Sequence, residues 1–407
     1  MKTIIKIAWR NLWRSKLRTS VIILSIILGL WGSMFFMGMM NGMNDSRISS
    51  AIDTYLAHVQ VHNAEYSDNP VIDNNIKDMN ALQSAIKKDK RVVGVASRTI
   101  IDAMASSSKG SSGVKLIGVN KDEEKTISNI HDKLVSGTYL SKFKKPSVVI
   151  GKKLAEKLGL KLNSKLKLNF QNLSGDVLSY SFRVEGIYRL NNSMIEQSDI
   201  FIKKPDLNNF LDVKKPLIHE LIIKLNDIQD SNEFKVDLQK KVKQDQVQTW
   251  DEVAPELGYA QETMSTFAYI FMAIILIALS FAIVNTMLMA VLERKRELGI
   301  MMAVGFNKRK LFLMIMIETL FIALIAAPLG LLISYFTIEY FGIRGMNFLS
   351  VADGMEYFGV GATIYTKLEP IYYWVIMLMT LATAFLSAVF PARKALNTQP
   401  IEAIREV

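Results

Sequence analysis

The sequence predicts a membrane protein with four transmembrane α-helices and a large α+β extracytoplasmic domain inserted between the first and second of them. Three observations lead there. Half of the 407 residues are hydrophobic and the mean hydropathy is +0.20, which is greasy for a soluble chain of this length. Four long stretches carry no charge, or a single one. The net charge of +11 is matched by three short segments that flank those stretches.

The first charge-free run covers 19–44. A bilayer-crossing helix needs about 20 apolar residues. A signal-peptide core has about 7–15, so this run reads as an uncleaved span. The second run is 263–292, the third 311–338 with Glu318 as its one charge, and the fourth 370–392. Residues 1–18 hold Lys2, Lys6, Arg10, Arg14, Lys16 and Arg18 and no acid. Loop 293–310 holds six cations and two acids, tail 393–407 three cations and two acids, and loop 339–369 two cations and four acids. The positive-inside rule therefore predicts cytoplasmic termini, a cytoplasmic loop 293–310 and extracytoplasmic segments 45–262 and 339–369. A basic total placed this way belongs to a membrane protein's inner face and predicts no nucleic acid partner.

At 100° per residue, Ile5, Ala8, Trp9, Leu12 and Trp13 share one face of the N-terminal segment and Lys6, Arg10, Arg14 and Arg18 the other. That is the pattern of a cytoplasmic amphipathic helix lying in the interface and contacting membrane lipid. Small residues Gly29, Gly32, Ser33, Gly38 and Gly42 on the first span permit close helix contact and point to a dimer interface. Pro328 and Gly330 predict a kink in the third. Glu318 lies about 12 Å along its helix from the inner face, where an unpaired acid is costly. Asn285 lies at matching depth on the second span, so the pair Asn285 and Glu318 is expected to hydrogen-bond, with Thr286 and Thr319 as alternatives. No second acid lies in the spans, which argues against a proton relay.

In 45–262, alternating or β-branched runs predict strands at 56–62, 92–96, 114–119, 147–150, 165–170, 178–188, 200–202 and 221–225, mostly antiparallel, with helices at 80–88, 152–158 and 231–243. Residues 106–113, rich in Ser and Gly, read as a flexible loop. His58 and His62 sit on an alternating run, about 13 Å apart on one strand face, too far to share a metal; they read as strand-surface histidines. The sequence has no cysteine, which removes thiol chemistry. No catalytic, cofactor-binding or metal-binding set emerges. A phosphate-binding G-x-x-x-x-G-K-[ST] loop does not occur in the sequence, so the chain is expected not to be an enzyme, with ATP and Mg held by a partner ATPase.

From Ala290 to Gly305 the chain reads Ala-Val-Leu-Glu-Arg-Lys-Arg-Glu-Leu-Gly-Ile-Met-Met-Ala-Val-Gly. This resembles the coupling-helix signature of the FtsX/MacB-like ABC transporter permeases, the mechanotransmission or type VII family. Arg296, Glu297, Leu298, Gly299, Ala303 and Gly305 match its Arg-Glu-(Ile/Leu)-Gly…Ala-x-Gly pattern. The opening at 8–19 and the close at 391–395 and 400–405 resemble the family's ends. The resemblance implies a short cytoplasmic helix that docks onto two copies of an ABC ATPase, a second permease subunit in a homo- or heterodimer, and a MacB-like periplasmic core domain in an inner-membrane protein. Leu298, Met301 and Met302 supply an apolar side at i, i+3, i+4, ringed by Arg294, Lys295, Arg296, Lys308 and Arg309. Arg294, Arg296, Glu297, Leu298, Gly299, Met302, Ala303 and Gly305 are thus the expected ATPase-coupling residues. Within the family the arrangement is nearest to the lipoprotein-releasing (LolC/LolE-like) permeases, which implies lipoprotein cargo or a periplasmic partner. Efflux of a drug, peptide or lipid, and cargo-free regulation of a cell-wall enzyme, are the alternatives.

Overall fold

The computed structural model describes residues 2–396 except 67–68, 70, 78–79, 142–145, 214, 243–244, 352–353 and 356–358. Residues 397–407 of the expected cytoplasmic tail, with the 400–405 part of the closing motif, lie outside the described residues. The helices in chain order are α1 (Lys2–Arg14), α2 (Lys16–Ala51), α3 (Asn80–Ile86), α4 (Lys121–Ile127), α5 (Lys152–Leu158), α6 (Ser193–Ser198), α7 (Lys204–Phe210), α8 (Ser231–Gln239), α9 (Trp250–Val253), α10 (Pro255–Glu293), α11 (Lys295–Ala303), α12 (Lys308–Arg344) and α13 (Pro370–Leu396). The strands are β1 (Val59–Asn63), β2 (Val92–Ser107), β3 (Gly110–Val119), β4 (Leu134–Gly137), β5 (Ser147–Gly151), β6 (Lys165–Gln171), β7 (Val177–Tyr188), β8 (Asp199–Lys203), β9 (Glu220–Leu225), β10 (Asp245–Thr249), β11 (Met346–Asn347) and β12 (Thr363–Ile364).

The chain divides into two compact units. One comprises 1–44, 261–347 and 363–407; the other comprises 45–260 and 348–362.

In the first unit, four described helices are long and apolar enough to cross a membrane, and each predicted span lies inside one of them. Lipid is as apolar as leucine, so these helices are held by close packing and inter-helix hydrogen bonds. On α2, Ile22, Ile26, Leu30, Met34 and Met37 form the buried stripe; on α13 the buried stripe is small, with Ala384, Ala388, Ala392 and Ala395. Ser387 of α13 bonds Ser280 of α10 at 2.7 Å. The glycines expected at a dimer interface mostly serve this internal packing. Gly29 faces Leu279 of α10, Gly38 faces Ile338 of α12, and Gly42 lies against the Tyr365 carbonyl. Helix α12 runs on through Pro328, and Gly330 there approaches Leu30 and the backbone at Ile27 of α2.

The N-terminal helix departs from expectation in its orientation. Ile4, Ala8 and Leu12 are buried, while Ile5, Trp9 and Trp13 are each more than 40% exposed. The predicted apolar face therefore splits. One side packs within the unit, and the aromatic side stays open, with Trp9 edge-on to Phe321 of α12 at 5.4 Å.

The second unit is built on ten described strands in the order β10-β1-β9-β2-β3-β8-β5-β7-β4, with β6 pairing β2 and β7. Only β3 with β8 and β5 with β7 pair in parallel. Strand β2 is long enough to pair β9 with its first half and β6 with its second, so it joins two cores. Val59, Val61, Val95, Leu221 and Ile223 pack in one; Leu116, Val148, Leu166, Phe182 and Ile200 pack in the other. Gly159 closes α5 in the left-handed conformation, with φ of 62°, where glycine carries no Cβ penalty. Residues 106–113 are not a flexible loop. Strands β2 and β3 continue through them and pair down to Ser107 opposite Gly110; the small residues form a tight hairpin end. Strands β4 and β10 went unpredicted because neither has an apolar alternation, and in β10 only Val247 and Thr249 are buried.

The histidines also need correction. His58 and His62 are buried, at 8% and 5% exposure, and are not strand-surface residues. Strand β1 lies between β10 and β9, a central position. His58 Nδ1 accepts from the Leu225 N–H at 3.0 Å. Among the described residues there is no metal-type cluster.

Candidate functional site: the turn between the second and third spans

Helix α10 stops at Glu293, and Arg294 adopts a non-helical φ/ψ of −101° and 15° before α11 begins. Helix α11 ends at a glycine. Gly305 has φ of 100°, and its N–H bonds the Met302 carbonyl at 3.1 Å while that of Phe306 bonds Met301 at 2.9 Å. This is a helix stop that only glycine makes without strain. Asn307 then caps α12 by accepting from the Arg309 N–H at 3.0 Å.

The break at Arg294 lets its side chain turn back into the unit. Its Nη1 donates to both carboxylate oxygens of Glu318, at 3.2 and 3.3 Å, with the two side chains 17% and 12% exposed. Around them stand Met287, Ala290, Val291, Leu298, Met314 and Ile315, with a residual cavity of about 10 Å³, at the lower limit for one water. The expected bond between Glu318 and Asn285 is not formed. Asn285 is exposed on α10, and the alternatives Thr286 and Thr319 bond carbonyls of their own helices. An arginine reaches further than an asparagine and delivers full charge to the buried acid, so it takes the position.

Arg294 is thus an internal residue. Its Nε also lies 3.5 Å from Glu297, and Glu297 is met from α1 by Arg14 at 2.6 Å. Arg18 at the start of α2 pairs with Glu293. Four helices, α1, α2, α11 and α12, are therefore tied by charge to this one turn.

The apolar side expected to dock a partner points inward instead. Leu298 and Gly299 are buried, and Met301 and Met302 are partly buried against the same core. The outward side is Arg296, Ile300 and Val304, at i, i+4 and i+8, with Ala303 and Gly305 beside them. Ile300 is 47% and Val304 80% exposed. Of the expected coupling residues, Arg296, Ala303 and Gly305 are presented outward; Arg294, Glu297, Leu298, Gly299 and Met302 support the helix from within. Ile300 and Val304, exposed on the outward stripe, and Arg14, paired with Glu297, lie outside the set expected from the sequence. A helical projection contains both apolar stripes of α11, but only the packing decides which one is covered.

The family model of the MacB-like periplasmic core domain matches residues 19–241, and that of the FtsX-like permease C-terminal matches 269–400. Over 412 positions the chain is 26% identical to the lipoprotein-releasing system transmembrane protein LolC of Buchnera aphidicola subsp. Schizaphis graminum, covering 97% of this chain and 96% of that protein. It is 31% identical over 134 residues to the macrolide export ATP-binding/permease protein MacB of Campylobacter jejuni, covering 32% of this chain and 18% of that protein. It is 27% identical over 243 residues to the ABC transporter permease YtrF of Bacillus subtilis, covering 57% of this chain and 54% of that protein. With its four apolar helices and its α+β domain between the first two, the chain belongs to the family of ABC transporter permeases that join a MacB-like periplasmic core domain to an FtsX-like C-terminal region.

Proposed function

We propose that this permease releases lipoproteins from the inner membrane, driven by ATP hydrolysis on a separate cytoplasmic ATPase that docks on the outward stripe of α11. The observation that carries the docking is the two-sidedness of α11: one apolar stripe is buried in the chain's own core, and a second, Ile300 and Val304, stays exposed beside Arg296. A short helix with such a stripe fits a groove on a partner. The charge ties to α1, α2 and α12 then give a docked ATPase a grip on the membrane helices. In this reading both termini and α11 are cytoplasmic, as the cation excess requires. ATP and Mg belong to two ATPase copies, a second permease subunit completes the dimer, and Trp9 and Trp13 of α1 rest in lipid headgroups.

The lipoprotein cargo is supported by the end-to-end alignment with LolC. Efflux of a small hydrophobic compound is the second reading, supported by the similarity to MacB. Reconstitution distinguishes them. The chain and its co-purifying ATPase are placed in proteoliposomes loaded with a fluorescent acylated lipoprotein. ATP-dependent appearance of that protein in the aqueous phase supports release. ATP-dependent movement of a macrolide with no lipoprotein released would overturn it.

A further inference from the structure

We propose that helix α1 is a binding surface for acidic phospholipid, and that the bound headgroups hold α1 in place against the α10–α11 turn. At about 100° per residue, the helix carries three stripes side by side. Ile4, Ala8 and Leu12 form the buried one. Ile5, Trp9 and Trp13 come next and are exposed. Lys6, Arg10 and Arg14 follow on the far side of the tryptophans, and all three are exposed. A helix with core, aromatic and cationic stripes in that order sits with its rings at the acyl boundary and its charges at the level of the headgroups.

The helix is fixed in this orientation. The Thr19 hydroxyl of α2 donates to the Leu12 carbonyl in the last turn of α1 at 2.7 Å, and the Thr19 N–H bonds the Ser15 carbonyl at 3.1 Å across the bend between the two helices. Trp9 and Trp13 meet edge to face, with ring centroids 6.1 Å apart. The three cations differ in their partners. Arg14 is engaged by Glu297 of α11. Lys6 and Arg10, four residues apart, pair with no acid among the described residues. Like charges at i, i+4 repel on a helix, so this pair destabilises α1 unless an anion lies beside it.

What covers the cationic stripe follows from its surroundings. The aromatic stripe borders it, and Leu17, Val21, Leu24 and Leu28 of α2 continue the exposed apolar surface beyond the bend. A soluble acidic protein would have to cover tryptophans and a membrane span together with the cations. An acidic phospholipid matches all three, with acyl chains against the rings and leucines and its phosphate beside Lys6 and Arg10. The consequence lies at Arg14. It ends the cationic stripe and bonds Glu297 at 2.6 Å, so lipid that holds α1 also steadies α11. An effect on ATPase binding rests on the docking proposed above; the lipid site itself does not.

The test is native mass spectrometry of the full chain in detergent micelles, titrated with phosphatidylglycerol or with phosphatidylcholine of the same acyl chains. Each basic side chain beside an anionic lipid contributes about fivefold, so phosphatidylglycerol should bind about twentyfold tighter. Lys6→Gln combined with Arg10→Gln should remove that preference, while Lys6→Arg combined with Arg10→Lys should keep it. Lys308→Gln combined with Arg309→Gln removes the same charge from exposed positions outside α1 and should change little. Glycerol 3-phosphate carries the charge without the chains and should not compete; competition would assign the site to a free phosphate and overturn the lipid reading. Equal binding of the two lipids, or an equal loss from the Lys308 and Arg309 pair, would also overturn it. None of these measurements needs the ATPase. In nanodiscs, the affinity of the co-purifying ATPase should then fall several-fold when phosphatidylcholine replaces phosphatidylglycerol, and the Lys6 and Arg10 glutamine variant should lose that difference. An ATPase affinity equal in both lipids would overturn the link from lipid to α11.

Discussion

Replacing Arg294 with methionine probes the ion pair at the centre of the α10–α11 turn. The guanidinium is 3.2 Å from Glu318, with both side chains largely buried. At that distance and an effective dielectric near 20, the attraction is about 5 kcal/mol before either group's desolvation is counted. Without the arginine, a carboxylate is left among Met287, Val291, Met314 and Ile315. It can escape by taking a proton, which at pH 7 costs about 3.7 kcal/mol for a glutamate of ordinary affinity. Arg294→Met should therefore destabilise the chain by about 3 kcal/mol, in the range for a broken buried pair. Glu318→Gln should cost less, because Arg294 still has Glu297 at 3.5 Å. The double variant should recover most of the loss, with a coupling energy of about 2 kcal/mol, well above the additivity error of about 0.5 kcal/mol. SDS-induced unfolding in mixed micelles, followed by tryptophan fluorescence for all four proteins, measures the cycle. Strict additivity, or an Arg294→Met chain as stable as the parent, would refute the assignment of Arg294 as an internal residue.

On α11, Ile300→Asp and Val304→Asp should abolish co-purification of the ATPase while shifting stability by no more than about 0.5 kcal/mol, as exposed substitutions do; retained ATPase binding would sink the outward stripe as the docking face. Leu298→Asp, in contrast, should unfold the first unit or block its insertion, read by size-exclusion profile. Gly42→Ala places a methyl against the Tyr365 carbonyl and should cost about 1–3 kcal/mol, the usual price of overpacking; an unchanged SDS midpoint would show that this contact yields freely. Asp199 is 7% exposed, and burial pushes its carboxyl from 3.8 up to about 6. Because the folded state holds this proton more tightly than the unfolded chain, the residue's contribution to stability is complete at acid pH and is lost as pH rises through about 6. Asp199→Asn should therefore raise stability above pH 6 by up to about 3 kcal/mol and give no gain near pH 4; thermal unfolding at both pH values measures it, and an equal effect at each would contradict the assignment.

Much of the architecture could be read from the chain because it is encoded locally. A run such as 19–44 must be a helix wherever it meets lipid, since nothing else there satisfies its backbone. The strands at 147–150 and 221–225 are short apolar runs that belong in a sheet interior. Strand β10 was invisible because Asp245, Gln246 and Gln248 carry no strand signal, and its place is set by pairing to β1. Helix α11 was legible as a motif but not as a surface.

The sequence by itself determined the number of spans, the charge asymmetry across them and the family motif at the α10–α11 turn. Each depends on residues near one another along the chain. The tertiary structure decided which stripe of α11 is covered, that Arg294 and not Asn285 holds Glu318, and that His62 is buried in the sheet. These outcomes turn on groups far apart in sequence. A helix with two apolar stripes, or an acid with several partners in reach, has near-equal local choices, and only the packing of distant segments lifts the degeneracy.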